Sequence, residues 1–85
     1  MSYKAEVRIA LKKGVADPEG KNTHKALELL GFQGVNEVKS ERLFELRLDA
    51  ASEEVARHKV EEMCKRLLAN PVIHDYAVRV ERVAP

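Results

Sequence analysis

The sequence predicts an α+β fold in the order β-α-β-β-α-β, the ferredoxin-like arrangement of a four-stranded antiparallel sheet with both helices on one face. Three patterns lead there. Residues 3–11 alternate apolar and charged side chains with period two. Two stretches of helical spacing each follow a residue that can cap a helix. Three further runs rich in Val, Leu and Phe fall where the remaining strands would lie.

In the first strand Tyr3, Ala5, Val7, Ile9 and Leu11 share one face and Lys4, Glu6 and Arg8 the other. Residues 12–20 form a loop punctuated by Gly14, Pro18 and Gly20. In it Asp17 can accept hydrogen bonds as an N-cap and Pro18 suits the first helical position. The helix should run to about Leu30, with Thr23, Ala26, Leu27 and Leu30 on its apolar face and Gly31 as its stop. Residues 35–40 read as a weaker strand, because Val35 and Val38 break the alternation and so imply a bulge or an edge. A hairpin around residues 40–42 should return the chain into a stronger strand at 43–48, where Phe44, Leu46 and Leu48 face inward.

Asp49 or Ser52 can cap the second helix, and Glu53 and Glu54 suit its positive N-terminal end. Val55, Ala56, Val60, Met63, Cys64, Leu67 and Leu68 make a helical stripe. Asn70 tolerates the left-handed angles of a helix end, and Pro71 cannot continue a helix. The last strand should occupy residues 72–83, with Ala84 and Pro85 as a tail.

Eighty-five residues suffice for a single domain, 1–85. A chain of this size buries only roughly 60–65% of the surface it exposes when unfolded, so a partner or a second copy is expected to complete it. Charged residues make up 34% of the chain, yet the formal net charge is only +1. That balance disfavours nucleic acid and an anionic membrane surface as partners. No apolar run approaches the roughly 20 residues of a spanning helix, and the first residues alternate charge without a signal-peptide core. The single Cys64 leaves no internal disulfide and suits a reducing, cytoplasmic setting.

Candidate chemistry is sparse. Gly14 and Gly20 bracket five residues where a phosphate loop needs four, and Asn22 stands where a magnesium-binding Ser or Thr would be required. His24 and His58 sit among charged neighbours and read as solvated. His74 precedes Asp75, but neighbouring strand residues point to opposite faces, so the two do not form a base pair of the hydrolase kind. Cys64 reads as a core thiol. An RNA-binding sheet needs outward aromatics, whereas Tyr3, Phe44 and Tyr76 fall on the inward parity. The sequence offers no catalytic pair, no cofactor-binding loop and no metal set.

Three blocks carry a resemblance to a known family. The first holds Leu11, Lys12, Lys13, Gly14 and Val15, followed by Asp17, Pro18, Glu19 and Gly20. The second holds Ala26-Leu27, Leu30-Gly31-Phe32, Val38 and Phe44-Glu45-Leu46. The third runs from Met63-Cys64 through Leu67, Leu68, Ala69, Asn70, Pro71, Val72 and Ile73 to Asp75-Tyr76. End to end, the chain resembles PurS, the small subunit of the multi-subunit bacterial and archaeal phosphoribosylformylglycinamidine (FGAM) synthase. His74 departs from the pattern, which usually has an acidic residue there.

The resemblance implies the step of de novo purine synthesis in which formylglycinamide ribonucleotide (FGAR), glutamine and ATP give FGAM, glutamate, ADP and phosphate. It further implies a non-catalytic subunit that binds no cofactor itself, within a complex that uses ATP and magnesium. Its partners would be a glutaminase subunit, a large synthetase subunit and a second copy of itself, with dimer and tetramer both open. The role implied is to bridge the other two subunits and to support ammonia transfer. Interface residues would be Gly14, Asp17, Pro18, Gly20, Asn70 and Pro71, whose turns present backbone at the ends of elements. The same six residues could instead serve only to shape turns and caps. A second functional reading is a free-standing amino-acid-binding regulatory domain of the ACT type.

Overall fold

Strand β1 (Ser2–Leu11) is the centre of the molecule, and the computed structural model describes it together with all other residues up to Val83. The expected tail at Ala84 and Pro85 lies outside the described residues. After β1 come helix α1 (Pro18–Leu29), strand β2 (Glu41–Asp49), helix α2 (Glu53–Met63), a short π-helical turn (Cys64–Leu68) and strand β3 (His74–Arg82). The sheet has three strands in the order β2-β1-β3, both pairs antiparallel.

The alternation of β1 sorts its side chains as the pattern requires. Tyr3, Ala5, Val7 and Ile9 are buried on the inner face. The register places Phe44, Leu46 and Leu48 beside them on β2, and Tyr76, Val78 and Val80 on β3. The outer face carries Lys4, Glu6 and Arg8, as expected, with Glu45, Arg47, Arg79 and Glu81 beside them; Lys4 pairs with Glu45 at 3.4 Å and Arg8 with Glu41 at 3.8 Å. These exposed pairs add little stability. Inner burial holds the sheet instead.

Helix α2 covers the inner face over β3 and β1. Its N-cap is Ser52, whose hydroxyl accepts from the Val55 N–H at 3.2 Å. Ala56, Val60 and Cys64, four residues apart, are completely buried. The stripe then changes phase. The Ala69 N–H bonds to the Cys64 carbonyl at 2.9 Å, an i→i+5 link that widens the last turn. Leu68 and Ala69 stay against the core, while Leu67 turns outward and is 83% exposed.

Two expectations fail. There is no fourth strand among the described residues: residues 32–40 form neither strand nor helix, and the chain enters β2 at Glu41 without a hairpin. The tightest, two-residue hairpin turns need positive φ, which Ser40, Glu41 and Arg42 supply poorly; among the described residues positive φ occurs at Gly14, Gly31 and Gly34. In addition, the two helices do not share one face. Helix α1 makes no substantial contact with the sheet or α2. The result is a long, thin molecule of 51 × 30 × 15 Å, in which the β2 half of the inner face has no helix above it.

The last strand is also shorter than expected. Val72 and Ile73 belong to the turn that precedes β3, and Val72 is exposed.

Candidate functional site

The six residues singled out from the sequence gather at one end of the sheet. That end holds the last residue of β1, the first residues of β2 and β3, and three connecting segments: the loop 12–17, the strap 32–40 and the turn 70–73.

Asp17 organises the first two segments. It is the N-cap of α1, with Pro18 next, and its Oδ1 accepts the Gly20 N–H at 2.9 Å. The same carboxylate reaches across to the strap. The Ser40 N–H donates to Oδ2 at 2.8 Å and the Ser40 hydroxyl to Oδ1 at 2.7 Å. Donation from the Ser40 amide, the Gly20 amide and the Ser40 hydroxyl, in that order of effect, holds the Asp17 pKa below its ordinary value. Gly20 makes the contact sterically possible: a Cβ there would stand 2.5 Å from the Val38 carbonyl oxygen and 2.6 Å from the Asp17 carboxylate.

His24 fastens the strap one turn further along α1. Its Nε2 lies 2.6 Å from the Val35 carbonyl oxygen and its Nδ1 3.2 Å from Glu28 Oε1. Both contacts are donor contacts only when both ring nitrogens carry protons. His24 is half-buried by this arrangement, so it is not the solvated histidine its charged neighbours imply. At the far end of α1, Gly31 adopts φ +92° and the chain closes with a Schellman motif. Gly31 N–H bonds to the Glu28 carbonyl and Phe32 N–H to that of Leu27.

The third segment is built on Asn70. Its φ is not positive, contrary to the expectation of a left-handed helix end. It works instead through its side chain and carbonyl. Asn70 Oδ1 accepts the Val72 N–H at 3.0 Å, and its backbone carbonyl accepts from Ile73 and His74 at 3.1 and 2.8 Å. In return the Asn70 N–H donates to His74 Nδ1 at 2.9 Å. Pro71 sits in the middle of this box, where no N–H is required. The Lys12 N–H then bonds to the Ile73 carbonyl at 2.8 Å, which ties the turn to the loop that carries Gly14.

Three contributors escaped the sequence reading. Ser40 and His24 act through partners 23 and 11 residues away, and no local pattern announces such bonds. The third, Arg57 of α2, donates to the Val78 carbonyl at 3.1 Å. Ile73 and Val83 bond to β1, so the even-numbered residues of β3 turn their backbone groups to the outer edge. Arg57 therefore occupies one outward carbonyl of that edge.

Chemically, this end of the molecule presents shaped backbone and charge. Among the described residues no three His, Cys, Asp or Glu side chains are placed to hold a metal ion. Cys64 is fully buried in the core, and burial, aided by Glu61, pushes its thiol pKa up, away from nucleophilic character. No helix is long and apolar enough to cross a membrane among the described residues.

Comparison with known proteins agrees over nearly the whole chain. The family model described as PurS, phosphoribosylformylglycinamidine (FGAM) synthase, matches residues 4–82. A phosphoribosylformylglycinamidine synthase subunit PurS of Methanocaldococcus jannaschii is 51% identical over 81 residues, covering 95% of this chain and 98% of the relative. The crystal structure of a Methanocaldococcus jannaschii PurS superposes with a TM-score of 0.88 at 50% identity, covering 96% of this chain and 99% of that one. A chain in the structure of PurLQS from Thermotoga maritima superposes with a TM-score of 0.86 at 28% identity, covering 95% and 99%.

Proposed function

The chain belongs to the PurS family, and from that premise we propose that it joins the glutaminase and synthetase subunits of FGAM synthase and itself performs no chemistry. It is a subunit of a glutamine-dependent ligase of purine biosynthesis. The overall reaction converts FGAR, glutamine and ATP into FGAM, glutamate, ADP and phosphate. ATP, with magnesium, is handled by the large subunit. The whole chain, 1–85, acts as one cytoplasmic domain in this reading.

The observation that supports a role in assembly is the uncovered apolar surface. Helix α1 is amphipathic but has no sheet beneath it, and Leu29 and Leu30 are 81% and 74% exposed. The β2 half of the inner sheet face correspondingly lacks a helix. Each copy thus has one apolar helix in excess and one helix position unfilled. A homodimer in which α1 of each copy covers the other would satisfy both. The polar end described above would then be free to meet the other subunits.

The test is reconstitution with the cognate synthetase and glutaminase subunits, comparing product formation from glutamine with that from added ammonia. The expected outcome is that only the glutamine-driven rate requires this chain. Equal rates with and without it in both assays would refute the bridging role.

A further inference from the structure

The strap of residues 32–40 crosses the polar end of the molecule without joining a strand or a helix. The side chains of Asp17 and His24 fasten it at two points. Asp17 holds Ser40 at the end of the strap, and His24 holds Val35 nearer its middle. The second fastening depends on a proton that the first does not need. Both neighbours of the His24 ring are acceptors only: the Val35 carbonyl oxygen lies 2.6 Å from Nε2, and the Glu28 carboxylate 3.2 Å from Nδ1. An imidazolium has an N–H for each. A neutral ring has one proton for two acceptors, and an ionised carboxylate is the stronger of them. With that proton on Nδ1, Nε2 turns a lone pair towards the Val35 oxygen, and the contact becomes repulsive.

The other charged groups near the ring leave this competition to Glu28. His24 lines the groove between the loop 12–17 and the strap, together with Lys12, Lys13 and Lys21, which disfavour a further cation, and Asp17 and Glu37, which favour one. Glu37 is paired with Lys39 at 3.7 Å, and Glu41, at the start of β2, with Arg8 at 3.8 Å. Among the described residues Glu28 alone comes within ion-pair distance of the ring.

We propose that His24 is a pH-operated clasp on the strap. Protonated, it ties Val35 to α1. Neutral, it gives its one proton to Glu28 and lets the middle of the strap lift, while Asp17 keeps Ser40 in place. The fastening is therefore complete on the acid side of the ring's titration and is lost as pH rises through it. Histidine is the side chain that ordinarily titrates between about pH 5 and pH 8, so this end of the molecule changes shape under mild conditions. Such a clasp operates in the single chain, whether or not the bridging role holds.

The test is a titration of the nitrogen-15-labelled full chain, followed by NMR from about pH 5 to about pH 8. The His24 ring nitrogens report protonation and tautomer. The Asn36 amide shares a peptide group with the Val35 carbonyl and so reports the clasp. That amide should move with the same midpoint as the ring, and backbone order parameters over residues 33–37 should fall on the alkaline side. The Ser40 amide should stay still. Glu28→Gln then separates a clasp from mere proximity. The Glu28 side chain is 61% exposed, so the change leaves the fold intact. A glutamine amide can donate to Nδ1, which sends the ring proton to Nε2 and keeps Val35 bound in the neutral form. In this variant the ring should still titrate, while most of the Asn36 movement and the loss of order should disappear. An Asn36 amide that stays still through the ring's titration, or that moves as far in Glu28→Gln as in the unaltered chain, would overturn the clasp. So would a neutral His24 that carries its proton on Nε2 in the unaltered chain.

Discussion

Helices α1 and α2 are alike on paper, with twelve and eleven residues, a side-chain N-cap each and an apolar stripe each. They are held by opposite means. Helix α2 is held by burial: Ala56, Val60 and Cys64 are sealed against β1 and β3. Helix α1 is held by polar fastenings, Asp17 to Ser40 and His24 to Val35, and its only buried residue is Gly20. The difference teaches that amphipathic patterning states which face of a helix will be covered, but not by which chain. Small residues distinguish the two stripes. Ala56 and Cys64 let α2 approach the sheet closely, whereas α1 presents Leu27, Leu29 and Leu30 to a surface this chain does not supply.

The contrast can be broken at α2 first. Val60→Ala removes two buried methyl groups from a site with no exposure and should cost about 2–3 kcal/mol in urea unfolding. A loss near zero would mean that α2 is no better packed than α1.

A smaller effect is expected from acid. The folded-state pKa of Asp17 lies below its unfolded value, so the fastening it makes contributes fully above the unfolded value and is lost as pH falls through the folded one. In an acid titration the Ser40 amide signal should move with a midpoint below that of an ordinary carboxylate. In Asp17→Asn that titration should vanish, while the amides of α2 stay unchanged. Movement of α2 together with Ser40 would show that the two helices are one cooperative unit.

The smallest effect on the single chain should come from Leu30→Ser. At 74% exposure this leucine buries almost nothing, and unfolding at high dilution should change by no more than about 0.5 kcal/mol. Self-association measured by sedimentation should weaken in the same variant. Unfolding losses as large as those of Val60→Ala would remove the distinction between the helices.

Legibility from sequence followed the range of the interactions. The period of β1, the Asp17-Pro18 start, the Gly31 stop and the Ser52 cap depend on residues at most a few positions apart, and the structure has each of them. The strand expected at 35–40 depended on a partner. Its partner would be residues 43–48, reached only by turning back at residues 40–42, and the chain instead enters β2 at Glu41 without a hairpin. Ser40 bonds to a carboxylate in place of a strand. The wide turn at Cys64–Leu68 was equally hidden, since Leu67 and Leu68 both suit a regular stripe until the buried Ala69 selects the phase. Of the candidate site, the residue types and their gathering in turns were readable, but the bonds that unite them span up to 23 positions and were not.

Arg57 has a consequence for how far such sheets can extend. A sheet with two bare margins is a repeating unit, able to add copies on either side without end. Here each margin carries one side-chain bond among the described residues: the Arg57 guanidinium donates to the Val78 carbonyl on β3, and the Lys59 ammonium to the Asp49 carbonyl at the end of β2 at 3.5 Å. Adding a strand along β3 would have to displace Arg57 from the Val78 carbonyl, whereas along β2 no side chain among the described residues bonds to the outer carbonyls from Glu41 to Leu48. The arginine thus works as a deterrent at one point of one margin, making fibre-like growth costlier there.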